Sequence, residues 1–471
     1  MQPSLATVDV LLIAGYFVTL LWVGFRSRSD AASTSDDFML AGRTITLPAF
    51  VATLVSTWYG GILGIGEFSW QYGLSNWLVF GVPYYVFALF FSLALAKRVR
   101  ATALTTIPDK LAASYDHRAA LFGAGLTFML VTPSAYVLML GVLVQFMFAW
   151  SLTASVIVGS LLAVVFLFSG GFRAGVRANV LQFVMMFAGF ALILTFAYAQ
   201  FGGWSFLQSH LPSTHLTLTG GHSWQYIVVW FFIALWTLVD PSFHQRCYAA
   251  RSPAVAQKGI LLSVLFWLVF DFLTSFAGLY SRAILPELPQ PAFSYPLLAE
   301  RVLPPFAKGL FYIGLLATIM STLSSYTFTA GMTIGYDLAG RLSRRQGPER
   351  ENALRTWTRA GMAITLALAI AMALWLASVV KIWYVIGTTV IPGLLVPLLA
   401  SYYQPLRLRR AWGFPVMMVG WGVSTLWFIG GLMQGGEYWF GIEPMYPGLA
   451  GSLLLASRDW LWRREKRAAA E

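Results

Sequence analysis

Charge is what this sequence has least of. Of its 471 residues only 11% are charged and 58% are hydrophobic, whereas a soluble domain carries about 25% charged side chains. That shortage excludes an ordinary soluble enzyme or binding module and leaves a polytopic membrane protein. Acidic residues are scarcer than basic ones, and the formal charge is +12. A nucleic-acid partner does not follow, because the basic side chains fall in short loops between apolar runs, where they set topology. A single cysteine, Cys247, excludes an internal disulfide framework. Met1 to Asp9 holds no Lys or Arg, so the positive start of a cleaved signal peptide is missing and the first apolar run reads as a retained helix. No loop is long enough for a soluble domain, and no nucleophile–base or metal-ligand cluster marks an enzyme. His210, His215 and His222 share one connector without a standard metal spacing and read as surface histidines.

Long apolar runs are what the chain has instead. A span across a roughly 30 Å core needs about 20 residues, and about thirteen stretches qualify. They lie near 7–25, 46–70, 75–97, 118–148, 152–170, 177–200, 224–246, 257–283, 306–337, 354–379, 381–404, 412–434 and 445–462. Arg and Lys cluster after every second span, for example Lys97/Arg98/Arg100, Arg246/Arg251/Lys258 and Arg407/Arg409/Arg410. That alternation puts the N-terminus outside and the C-terminus in the cytoplasm.

Two spans are interrupted. In the second, Ser56-Thr57-Trp58-Tyr59-Gly60-Gly61 sets small polar side chains and a Gly pair at bilayer depth. Glycine costs about 1 kcal/mol relative to Ala in a helix interior, so a break is expected there. In the seventh, Asp240-Pro241 removes a backbone donor and breaks the helix. Broken helices five spans apart fit two five-helix halves related by an inverted repeat, with the ion bound where backbone carbonyls are freed.

Charged groups inside the apolar runs are few, namely Glu67, Asp240, Asp271 and Lys381. Each is costly in lipid and so marks function or a specific partner. Lys381 opens its span and reads as snorkelling outward. Asp271 reads as a partner for a neighbouring helix, Glu67 as facing an outer vestibule, and Asp240 as lining a site or hinge. In span nine, Thr318, Ser321, Thr322 and Ser325 share one helix face. Hydroxyl and carbonyl oxygens without carboxylates suit Na⁺ better than a divalent ion.

Several stretches together resemble a known family. They are Asp37-Phe38-Met39-Leu40-Ala41-Gly42-Arg43, Ser56-Thr57-Trp58-Tyr59, Gly170-Gly171-Phe172-Arg173-Ala174, Gln245-Arg246 with Ala249-Ala250-Arg251-Ser252, and Ile319-Met320-Ser321-Thr322-Leu323-Ser324. In this order the chain resembles the sodium/solute symporters, the family of the proline, pantothenate, sialic acid and sodium/glucose transporters. The resemblance implies an all-α, LeuT-like 5+5 inverted repeat. An extra N-terminal helix would occupy 1–30, the repeats 46–200 and 224–404, two C-terminal helices 411–462, and a basic cytosolic tail 463–471. It also implies a sodium site made of the Ser56, Tyr59 and Thr318 carbonyls with the Ser321 and Thr322 side chains. A second cation site in some members corresponds to Ser324, Ser325 and an Asp whose position here reads Asn179, an amide that brings no charge.

Substrate would bind between spans two, three, four and seven, near Trp58, Gly60, Tyr136, Trp236 and Asp240. Proline transporters carry Asp and sugar transporters Asn where this chain has Trp58, so neither solute carries over. If Asp240 faces the cavity, a cationic or hydroxyl-rich solute is favoured over a plain monocarboxylate, which like charge disfavours. The expected function is Na⁺-coupled symport of a small organic solute by a monomer in the inner membrane. The alternatives are proton coupling through Asp240 or Glu67, or a transporter-like sensor serving a separate signalling partner.

Overall fold

A computed structural model describes residues 4–27, 34–375 and 379–468, with the side chains of 379–382 and 467–468 outside the description. The expectation for Lys381 therefore lies outside the described residues. The described chain is helical, and one isolated bridge, Ile45 to Ala250, is its sole extended pairing.

Helices stand at every expected span. In chain order they are α1 (Thr7–Phe25), α2 (Leu47–Trp58), α3 (Ile62–Tyr72), α4 (Trp77–Ala101), α5 (His117–Leu130), α6 (Ser134–Phe148), α7 (Leu152–Val164) and α8 (Leu167–Phe201). There follow α9 (Trp224–Ile233), α10 (Trp236–Val239), α11 (Pro241–Ala249), α12 (Pro253–Ile284), α13 (Ala307–Met332), α14 (Gly347–Trp375), α15 (Val379–Tyr402), α16 (Gly413–Met433) and α17 (Met445–Ala468). Ten spans among the described residues are long and apolar enough to cross a bilayer, and the bent α2–α3 pair makes an eleventh. That is fewer than the thirteen expected. The helix α7 has 13 residues, short of the roughly 20 that a span needs, and α17 gives its second half to Arg458, Asp459, Arg463 and Arg464.

The helix α13 is the hub. Of the most apolar stretch of Ala307–Leu342, 94% is buried, against 28% for α1 and 33% for α8. The outer helices turn Leu11, Val18, Leu93, Val184 and Leu265 outward, which is the surface a lipid environment requires. The helices α8 and α13 cross closely at two glycines, where a Cβ on Gly189 would stand 3.2 Å from the Gly314 Cα. Small residues at such crossings let backbones approach, which is how membrane helices gain packing energy.

Three of the motif stretches, 37–43, 170–174 and 245–252, converge on one another. The Arg173 guanidinium pairs with the Asp37 carboxylate at 2.5 Å, the Ile45 N–H donates to the Ala249 carbonyl at 3.1 Å, and Gln245 Nε2 donates to Met39 O at 3.5 Å. Gly42 (φ +61°) and Gly171 (φ +57°) supply the left-handed backbone at this junction, which glycine adopts without a Cβ penalty.

The connector between α8 and α9 differs from expectation. His215 is buried there, not on the surface; its Nε2 lies 3.0 Å from the Trp70 carbonyl and its own carbonyl accepts from Leu74 N at 2.9 Å. Desolvation lowers the His215 pKa below its ordinary value, partly countered by the Trp70 contact, and lowers that of His222 too. A lowered pKa means the folded chain binds fewer protons than the unfolded chain, so stability falls as pH drops below about 6.5. The melting temperature should therefore decline from pH 7.5 to 5.5 less steeply in His215→Gln than in the wild type. Equal slopes would refute the assignment.

Candidate functional site

The break between α2 and α3 bends the chain by 60°, and close packing at its two glycines fixes where it falls. A Cβ on Gly60 would lie 2.4 Å from Thr322 Cβ and 2.7 Å from Tyr136 Cδ1; one on Gly61 would lie 2.0 Å from the Trp383 indole. Gly60 is thus the contact between the break and α13. It is not among the residues lining the cavity described below, contrary to expectation. Gly60→Ala should lower the melting temperature by overpacking worth about 1–3 kcal/mol and loosen the break from α13. A melting curve matching the wild type would show that the contact yields freely.

Two oxygen clusters join the broken helix to α13. At the carbonyl end of α2, the Ser321 hydroxyl lies 2.7 Å from the Ser56 carbonyl and 3.0 Å from the Thr318 carbonyl. Next to it the Thr322 hydroxyl donates to the Thr57 carbonyl at 2.6 Å. Four of the five residues expected at the sodium site therefore meet here, with Thr57 added. The fifth, Tyr59, sits at the C-terminal end of the same helix, and its phenol hydroxyl donates to the Trp267 carbonyl at 3.0 Å. Every donor atom in this cluster is a neutral oxygen, and Ser56, Thr318, Ser321 and Thr322 are all fully buried. That donor set fits a hard monovalent cation and lacks the carboxylates a divalent ion wants.

The second cluster lies on the side-chain face of α2. Thr57 Oγ1 and Ser325 Oγ are 3.2 Å apart, and Asn179 Nδ2 donates to Thr53 Oγ1 at 2.9 Å and to Ser325 Oγ at 3.1 Å. Ser324, expected here, instead donates back to the Ser321 carbonyl at 3.1 Å. The residue that fills the cluster is Arg246. Its Nη2 lies 2.7 Å from Thr57 Oγ1, 3.1 Å from Thr53 Oγ1 and 3.2 Å from both Ser325 Oγ and the Thr53 carbonyl. Arg246 is fully buried, and no carboxylate pairs with it among the described residues. In the sequence it counts as a loop charge after span seven; folded, α11 carries it back inside.

Beside the break is a cavity of about 110 Å³, lined by α2, α3, α4, α6, α9, α10, α12, α13 and α15, with Asp240 between α10 and α11. Trp58, Tyr136, Trp236 and Asp240 line it as expected, together with Tyr84, Trp230, Trp383 and Asp271, which the sequence did not single out for it. Asp240 caps α11. Its Oδ1 accepts from the N–H groups of Ser242 at 2.7 Å and Phe243 at 3.3 Å, and its Oδ2 from the Tyr326 hydroxyl at 3.0 Å. Capping by Asp satisfies the orphan donors that Pro241 leaves behind it. Asp271 accepts from the Tyr85 hydroxyl, joining α12 to α4. Ile65, Phe80, Trp230 and Trp383 also line a second cavity, of about 490 Å³, on the side of the 201–223 connector, where Glu67 lies.

Comparison with known proteins fits this geometry. Residues 38–404 match the sodium:solute symporter family. The chain is 26% identical to the sodium/pantothenate symporter of Escherichia coli (strain K12), over 94% of each chain. It is 25% identical to a sodium/proline symporter of Staphylococcus aureus (strain JH9), over 69% of this chain and 67% of that one. Among solved structures, a Na⁺-coupled sialic acid symporter in a substrate-bound outward-open state superimposes with a TM-score of 0.75 at 15% identity, over 97% of each chain. A nucleobase-cation-symport-1 family transporter superimposes at 0.60 and 11% identity, over 91% of this chain and 95% of that one. These two likenesses establish a shared transporter fold.

Proposed function

This chain belongs to the sodium:solute symporter family, and from that premise we propose that it imports a small organic solute by alternating access, driven by one Na⁺ per cycle. Sodium is the coupling ion of the family, and the protein is a multi-pass membrane protein. The observation that carries the finer reading is the neutral oxygen cluster of Ser56, Thr318, Ser321 and Thr322 at the break. An ion there ties α2 to α13. Because a ligand shifts an equilibrium only by its differential affinity, that tie favours the conformation in which the break and α13 stay together and the solute cavity stays formed. The Tyr59 carbonyl completes the set in this proposal.

One ion rather than two follows from Arg246. A guanidinium donating to Thr53, Thr57 and Ser325 holds the second cluster as a tethered cation, and like charge opposes a mobile one beside it. We further propose thirteen spans in a 5+5 inverted repeat, the N-terminus outside and the C-terminus cytoplasmic. The short α7 and the charged end of α17 then count as spans, and the alternating basic loops support that orientation.

The test is thermal unfolding of the purified protein in NaCl against KCl, followed by solute uptake into proteoliposomes under an imposed Na⁺ gradient. Stabilisation by Na⁺ over K⁺ is expected. Identical melting in both salts, with uptake at zero Na⁺ that scales with the pH gradient, would replace sodium by proton coupling.

A further inference from the structure

The cavity beside the break has an unusual chemistry for a solute site. Nine of its fourteen lining residues are aromatic and two are aspartates; none is Lys, Arg, His, Asn or Gln. Asp240 and Asp271 are buried, and neither forms an ion pair among the described residues. The nearest buried guanidinium, on Arg246, is turned to Thr53, Thr57 and Ser325. Arg246 reaches Asp240 only as a longer-range attraction, and a buried carboxylate with no cation in contact is stabilised when a positive group joins it.

We propose that the transported solute is a small organic ammonium ion, held with its positive head among the aromatic faces and against Asp240 and Asp271. This rests on the symport reading above and names the solute class for the same cavity. Trp, Tyr and Phe faces attract a cation electrostatically, most strongly where water is excluded, and cages of such faces recognise quaternary ammonium groups. Trp58, Tyr84, Trp230, Trp236 and Trp383 supply those faces. Trp58 packs edge-to-face against Tyr84 at 5.1 Å and Phe243 at 5.5 Å, contacts that restrict its ring within the box.

Other solute classes fit less well. A carboxylate needs a basic side chain or a free helix N-terminus. The lining has no basic residue, the N-terminus of α11 is occupied by the Asp240 carboxylate, and that of α3 is covered by the Trp383 indole packed on Gly61. A sugar is read by amides, carboxylates and hydroxyls acting together; here Asp240 already accepts from Ser242, Phe243 and Tyr326 and Asp271 from Tyr85, and the lining offers no amide. The volume, about 110 Å³, admits a trimethylammonium head with a short tail.

The experiment uses the full-length protein in NaCl and titrates four probes against thermal stability and intrinsic tryptophan fluorescence. These are tetramethylammonium, choline, 3,3-dimethyl-1-butanol (the neutral carbon isostere of choline) and pantothenate. Both ammonium probes are expected to bind, with choline at least tenfold tighter than its isostere. Asp240→Asn keeps an acceptor at the helix cap and should cost a further tenfold in choline affinity; Asp271→Asn serves as the second variant if the first melts too early. Equal binding of choline and the isostere, or binding of pantothenate without either ammonium, overturns the proposal. The comparison of NaCl with KCl in the absence of solute separates the two failures. A sodium shift with no ammonium binding removes only the solute class, whereas no sodium shift removes the coupling.

Discussion

In the double variant Ser321→Ala/Thr322→Ala, the sodium concentration for half-maximal uptake should rise by about a hundredfold or more, while the protein still folds. The two effects have different sizes because the same oxygens do two jobs. The Ser321 and Thr322 hydroxyls donate to the Ser56 and Thr57 carbonyls at 2.7 and 2.6 Å. Each such hydrogen bond contributes about 0.5–1.5 kcal/mol net, so losing both lowers stability by about 1–3 kcal/mol. With the ion, each oxygen faces a full positive charge, where a contact is worth about 1.5–3 kcal/mol. Two lost ligands then amount to more than two factors of ten at about 1.4 kcal/mol per factor. Measuring melting in KCl isolates the first effect, and the sodium dependence of uptake isolates the second. If the double variant lost stability in KCl but kept the wild-type sodium dependence, the cluster would be a structural clasp and the ion would bind elsewhere.

Much of this cluster was legible in the sequence, for a physical reason. Helical periodicity alone sets Thr318, Ser321, Thr322 and Ser325 on one face, and Gly60-Gly61 and Asp240-Pro241 break helices wherever they occur. Those signals are local, and the structure reports breaks at both places. What stayed hidden was tertiary. Arg246 looks like any basic residue closing a span, and nothing in the chain says that it reaches Thr53, 193 residues away. Ser324 is adjacent to Ser325 and equally polar, but the helix turns it to bond its own backbone, a habit of Ser and Thr in helices. The aromatic box is drawn from seven separate helices. Each of its residues, taken alone, reads as packing or as an interfacial belt, and only their convergence around Asp240 and Asp271 distinguishes them.

The second large effect is expected at Arg246. If its guanidinium stands in for a second ion, wild-type uptake should follow sodium with a Hill coefficient of about 1, and the reversal potential should report one Na⁺ per solute. Arg246→Gln alone should abolish uptake. It strips donors from Thr53, Thr57 and Ser325, and each buried acceptor left unsatisfied costs about 1–3 kcal/mol. The informative variant pairs that loss with Asn179→Asp. Asn179 already touches Thr53 and Ser325, so a carboxylate in its place, with the guanidinium gone, leaves an anionic cage of oxygens that a mobile cation can enter. The Asn179→Asp/Arg246→Gln protein should therefore be stabilised by Na⁺ more steeply than the wild type, with a Hill coefficient approaching about 2. Charge balance requires this direction: the wild-type cluster holds one fixed positive charge and no carboxylate, and the double variant holds the reverse. A wild-type protein that already moves two Na⁺ per solute would show that a mobile cation shares the cluster with Arg246, and the tethered-cation reading would fall without any variant being made.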